Sequence, residues 1–130
     1  MTPSPTPTRT PSSAPNPAAV LSKAVVRDAE QLSLKQAHIA RMLGLSASST
    51  SRLTAGRWQI PEDGKSWELA TAFVRLYRSL SAITGGQPLA MRDWLHSYNV
   101  AFGGSPAEVI QGAEGLIHVV HYLDAARGRL

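Results

Sequence analysis

Apolar residues recur at three- and four-residue spacing through most of this chain, and that spacing predicts helices. The longest such stretch begins at Ser66, and its apolar residues fall on one helical face: Leu69, Phe73, Leu76, Tyr77, Leu80 and Ile83. No stretch alternates apolar and polar residues for long enough to form a strand. The pattern therefore predicts an all-α fold.

Two shorter apolar stripes follow the long helix. We expect the first to form one face of a helix: Met91, Trp94, Leu95 and Tyr98. Trp94 is expected to face the core, and the alternative is that it anchors an interface. The second predicts the buried face of the last helix: Leu116, Val119, Val120 and Leu123. Between the two stripes, Ser105 can cap a helix whose first residue is Pro106, and Glu108 can complete a capping box.

Composition divides the chain into three parts. Residues 1–17 are rich in Thr, Ser and Pro, and we expect them to form a disordered tail. Residues 18–65 are predicted to form a helix-turn-helix domain and residues 66–130 a second helical domain. The first of these domains carries the basic excess of a chain whose net charge is +4, so an anionic partner would be met there.

A helix-turn-helix is the best interpretation of residues 39–53. Gly44 suits a tight turn with positive φ, Ser46 can cap the second helix, and Gly56 can close it. In this motif the second helix lies in the major groove. We expect the DNA contacts to come from Lys35, Ser46, Ala47, Ser48, Ser49, Ser51, Arg52 and Arg57. An ordinary helical hairpin without a DNA role is the alternative.

The sequence offers little for catalysis, metal binding or export. His118 and His121 lie three residues apart, but no third ligand accompanies them at a convincing spacing. The chain has no cysteine, no nucleophile motif and no phosphate loop. We therefore expect a non-enzymatic protein without cofactor or metal. Because the sequence contains neither a signal peptide nor a membrane-spanning run, we expect it in the cytoplasm.

An ordered set of motifs in the last half of the chain resembles a known family. The first motif is a long helix that ends in Gly-Gly, and the second is a helix with Trp-Leu that is followed by an Asn. Gly-Gly-Ser-Pro, an acidic-Gly pair and a terminal helix come after them. Here the motifs are Gly85-Gly86, Trp94-Leu95, Asn99, Gly103-Gly104-Ser105-Pro106 and Glu114-Gly115. In this order, behind a helix-turn-helix, they resemble the Xre/MbcA/ParS antitoxins.

The resemblance implies an antitoxin of a type II toxin–antitoxin module. The toxins paired with this family are RES-domain proteins that consume NAD, or related ADP-ribosyltransferase-like proteins. The family's C-terminal domain covers the toxin's substrate pocket, while the N-terminal domain, often as a dimer, represses the operon. The alternatives are a stand-alone repressor without a toxin, and an interaction module whose helix-turn-helix no longer binds DNA.

We also expect specific toxin contacts near the end of the last helix. The residues concerned are Tyr122, Arg127, Gly128, Arg129 and Leu130. The hypothesis is that residues 127–130 form a short mobile stub, freed by Gly128, that enters the toxin's pocket. A frayed polar terminus without a role is the alternative.

Overall fold

The computed structural model describes residues 16–128, and in this part of the chain the regular secondary structure is all helix, apart from one isolated β-bridge between Asn99 and Gly104. The all-α prediction is confirmed. The seven helices are α1 (Pro17–Gln31), α2 (Gln36–Leu43), α3 (Ala47–Thr54), α4 (Lys65–Ile83), α5 (Pro88–His96), α6 (Pro106–Val109) and α7 (Ala113–Arg127).

Helix α4 lies at the centre of the packing. It contacts α7 most extensively, and it also packs against α1 and α2. Its core positions follow the predicted stripe, since Phe73, Leu76 and Leu80 have no exposed area. They belong to one continuous cluster of buried apolar residues to which α1, α2, α3, α5 and α7 also contribute. The stripe of the last helix is confirmed as well, because all four of its residues are buried.

The helix boundaries follow local signals in the sequence. Gly44 ends α2 with a φ of 68°, which glycine adopts without the strain that other residues incur. Ser46 caps α3 by accepting a hydrogen bond from the Ser49 N–H at 3.1 Å. Ser105 caps α6 in the same way, with the Glu108 N–H as donor at 3.2 Å. These cap and turn predictions are confirmed.

One expectation for the stripe around α5 is wrong. The helix ends at His96, so Tyr98 lies outside it and is 72% exposed. Ser97 leaves the helical conformation with a ψ of 151°, because the following residues reverse direction in a tight turn. Trp94 stays in α5 but is only half-buried and belongs to a surface cluster that packs on the core.

No helix within residues 16–128 is long and apolar enough to cross a membrane.

Candidate functional site

Two surfaces of the molecule are candidates for binding partners, and the first is the exposed side of the α2–α3 pair. The pair is held from within by Ile39, Leu43 and Leu53, all of which are buried. Thr50 is 1% exposed and lies among these buried residues. Its hydroxyl donates to the Ser46 carbonyl at 2.8 Å, so the buried polar group is satisfied and its cost is offset.

The residues predicted to contact DNA lie mainly on this surface. All are exposed except Ser49, which is half-buried: Lys35, Ser46, Ala47, Ser48, Ser49, Ser51, Arg52 and Arg57. The Ser46 hydroxyl is occupied as a helix cap and lies 3.3 Å from the Ser48 hydroxyl. The Arg52 guanidinium donates to the Ser49 hydroxyl at 3.4 Å, a weak contact that leaves most of its donors available.

The second surface is an aromatic cluster formed by α5, α7 and the turn of residues 98–104. Its four rings are Trp94, Phe102, His118 and Tyr122. The Trp94 and Tyr122 rings stack with centroids 6.3 Å apart, and the Phe102 ring meets Tyr122 edge-on at 5.0 Å. The Phe102 ring also meets Trp94 at 6.3 Å and His118 at 5.2 Å, both edge-on. Phe102 therefore contacts all three other rings, and such pairs stabilise by about 0.5–1.5 kcal/mol beyond their buried area.

The exposed face of α7 extends this cluster along the helix. Ile117 is 40% exposed and Tyr122 is 36% exposed, while His118, His121 and Ala125 are also exposed. These positions repeat at one, four, five and eight residues, which places them on one side of a helix. Between Glu114 and Asp124 the helix has no acidic or Lys/Arg residue. The exposed face is therefore mainly apolar and carries no Lys, Arg or acidic side chain between these two residues, as is common at the centre of protein interfaces.

Polar contacts with α4 fix the last turns of α7. The Asp124 carboxylate accepts from the Ser79 hydroxyl at 2.8 Å and pairs with the Arg75 guanidinium at 2.7 Å. Ser79 is fully buried and Asp124 half-buried, whereas the Arg75 side chain is 66% exposed, so water screens the ion pair more than the Ser79–Asp124 hydrogen bond. Together the two contacts hold the helix end on which Tyr122 and Arg127 lie.

The predicted toxin contacts are only partly within the described residues. Tyr122 lies in the aromatic cluster, Arg127 is exposed in the last turn of α7, and Gly128 follows it as the exposed C-cap. Gly128 has a φ of −66° and donates its N–H to the Asp124 carbonyl at 2.9 Å. Arg129 and Leu130 lie outside the described residues.

Sequence reasoning missed Phe102 and His118 as partners of Trp94 and Tyr122. Phe102 lies in a turn, where no periodicity indicates which way a side chain points. His118 stands out in the sequence only for its spacing from His121. Within residues 16–128, no group of three or more potential ligands is close enough to hold a metal ion.

Comparison with known families gives this second surface a context. Residues 79–129 match the antitoxin Xre/MbcA/ParS C-terminal toxin-binding domain. The match confirms the family resemblance found in the sequence, and the matched range contains α5, the turn, α6 and α7. This part of the chain is therefore similar to the toxin-binding domain of antitoxins. No curated protein matches the chain.

Proposed function

We propose that the chain neutralises a cognate toxin of the RES type, or an ADP-ribosyltransferase-like relative, and represses its own operon through the α2–α3 pair. The observation that supports this proposal most strongly is the coincidence of two features. The matched toxin-binding domain contains the aromatic cluster and the apolar face of α7, which is the kind of surface that a protein partner covers. The chain acts by binding to the toxin and has no enzymatic activity of its own.

The proposed toxin contact runs along the exposed face of α7 toward residues 127–130. Tyr122 is held by Trp94 and Phe102 before binding, so little side-chain freedom is lost when a partner covers it. Arg127 follows on the same helix end and offers five donors that match anionic groups. Residues 127–130 are proposed to reach the toxin's substrate pocket, where the Arg129 side chain would meet its polar groups.

The proposed DNA contact is made by α3. Its exposed side carries short hydroxyl side chains and one arginine, which can contact a guanine or a phosphate. Lys35 at the start of α2 and Arg57 after α3 are proposed to bind backbone phosphates. A homodimer, or a larger complex with the toxin, would present two such helices to a palindromic operator.

Co-expression with the neighbouring open reading frame tests the antitoxin function. We expect that the neighbour alone stops growth and depletes cellular NAD, and that this chain restores both while co-purifying with it. Arrested growth with unchanged NAD would support the antitoxin and exclude a NAD-consuming toxin. A harmless neighbour that does not co-purify would contradict the proposal and favour a stand-alone repressor.

Removing residues 127–130 tests the proposed pocket contact. We expect the truncated chain to lose neutralisation while keeping its helical circular-dichroism spectrum and its binding to operator DNA. Full protection of cells by the truncated chain would contradict this contact and leave the α7 face as the toxin-binding element.

Arg52→Ala tests the proposed DNA contact, with Arg92→Ala in α5 as a control for the loss of one positive charge. If Arg52 binds a phosphate, the slope of log K against log salt falls by about 1. If it reads a base, discrimination between operator and random DNA falls instead. Operator binding by Arg52→Ala that equals the control in both respects would argue against α3 as the recognition helix.

A further inference from the structure

The turn after α5 exposes two large apolar side chains to solvent. Tyr98 is 72% exposed and Val100 is 88% exposed, the latter more than any other large apolar residue of the described chain. Single exposed apolar residues are common on protein surfaces and need no explanation. Here two of them flank one residue, Asn99, in a segment without charge from Ser97 to Ala107.

The backbone of this turn is held in place by several hydrogen bonds. The Asn99 N–H donates to the Gly104 carbonyl at 2.9 Å, and the Asn99 carbonyl accepts from Phe102 at 3.1 Å and Gly103 at 3.0 Å. The Asn99 side chain adds a fourth bond, accepting from the Ala101 N–H at 2.9 Å. Gly103 completes the reversal with a φ of 68°. Tyr98 and Val100 are therefore carried on a preorganised backbone.

The same turn is fastened to the toxin-binding face. Phe102 belongs to the turn, and its ring contacts Trp94 of α5 and both His118 and Tyr122 of α7. The turn that exposes Tyr98 and Val100 is thus packed directly against the apolar face of α7, and both lie within the range matched to the toxin-binding domain. A rigid apolar projection beside a partner-binding face has the properties of a binding hot spot, because few degrees of freedom are lost when it is buried.

We propose that Tyr98 and Val100 are an apolar anchor that inserts into an uncharged, apolar depression on the toxin surface. This inference rests on the proposed antitoxin function and adds a second point of attachment, separate from residues 127–130. The two anchor side chains carry no charge, which favours an apolar partner surface, since a charged pocket would remain unpaired against them. The anchor contributes affinity for the toxin and discrimination between related toxins.

Serine substitutions at the two anchor residues test the proposal. The full-length variants are Tyr98→Ser, Val100→Ser and the double variant, with Leu89→Ser as the matched control. Leu89 is 76% exposed, lies in the same toxin-binding domain and is not part of the turn. The probe is the purified product of the neighbouring open reading frame, titrated by calorimetry against each full-length chain.

We expect each anchor variant to raise the Kd by about tenfold and the double variant by about a hundredfold. The Leu89→Ser variant should bind within about twofold of the parent. All four variants should melt within a few degrees of the parent, because the replaced side chains are exposed. Tight toxin binding by the double variant, equal to that of the parent, would overturn the anchor and leave the antitoxin function intact.

Two further results would also overturn the anchor. If the parent does not bind the neighbouring product at all, the proposed antitoxin function fails and the anchor fails with it. If the parent is a dimer by light scattering that dissociates on Tyr98→Ser while toxin affinity is unchanged, the turn binds a second copy of the chain.

Discussion

Replacing Gly115 by alanine should destabilise the fold through a backbone clash. Gly115 lies in the first turn of α7, and a Cβ atom there would lie 1.9 Å from the Val109 carbonyl oxygen and 2.8 Å from its carbon. An ordinary carbon–oxygen contact is about 3.3 Å, so the start of α7 would have to move by about 1.4 Å from the end of α6. No side-chain rotation can relieve a contact with backbone.

The magnitude follows from two opposing effects. Overpacking of this kind costs about 1–3 kcal/mol, and the upper end applies because Leu116 and Ile110, next to the contact, have no exposed area. Alanine is favoured over glycine inside a helix by about 1 kcal/mol. We expect a net loss of about 2 kcal/mol of unfolding free energy. For a folded region of this size, that loss lowers Tm by about 10 °C.

Thermal and urea denaturation followed by circular dichroism measures this effect, with Gly128→Ala as control. Gly128 is the C-cap of α7 and has a helical φ of −66°, but a Cβ atom added there would meet no atom closer than 3.5 Å. That control should stay within about 0.5 kcal/mol of the parent. A Gly115→Ala chain that melts within about 2 °C of the parent would refute the reasoning, because α6 and α7 would then tolerate a methyl group between them.

Three further substitutions test buried and strained positions. Burial, together with neighbouring His96 and Arg41, lowers the pKa of His38. The free energy of unfolding should therefore fall as the pH drops below about 6.5. His38→Gln should weaken that pH dependence in urea titrations at about pH 7.5 and 5.5. Burial raises the pKa of Asp28 despite Arg27 and Arg78, so stability is lost as pH rises through that pKa. Asp28→Asn should therefore gain more stability over the parent at pH 7 than at pH 4, and an equal gain at both would contradict the assignment. Ser33 has a φ of 56° between α1 and α2, and Ser33→Gly should raise Tm by relieving about 1 kcal/mol of strain, whereas an unchanged or lower Tm would argue against it.

Helix positions could be predicted from the sequence because their signals are local. The cap at Ser46 and the left-handed Gly44 each depend on residues within one turn of the helix end. The core face of α4 depends on spacing alone, since every fourth or third residue returns to the same side. The prediction failed at Tyr98, where periodicity was extended past the helix end. What ends α5 is the turn closed by Asn99 and Gly104, and that pairing becomes evident only when the chain is folded.

The candidate site was harder to predict because its residues meet through tertiary packing. Gly115 was recognised only as half of an acidic-Gly motif, whereas the reason for glycine is the close approach of Val109. Tyr122 was selected for its position near the end of the last helix. The ring that connects it to the other cluster residues belongs to Phe102, twenty positions earlier in a turn. No spacing rule links a turn residue to a helix that follows it at that distance.

Helix α4 contacts both α2 and α7, so exposed residues outside α4 are better targets for substitution than its core residues. Its Ser66 hydroxyl donates to the Leu43 carbonyl at the end of α2, and its Ser79 hydroxyl donates to Asp124 near the end of α7. These two serines are about 20 Å apart along the helix axis, at 1.5 Å per residue. A core substitution in α4 would shift both the α2–α3 pair and α7, and so would confound the two proposed binding functions. Arg52 and Tyr98 lie on the surface at the two separate candidate sites, so changing either one should weaken one proposed function and leave the other measurable.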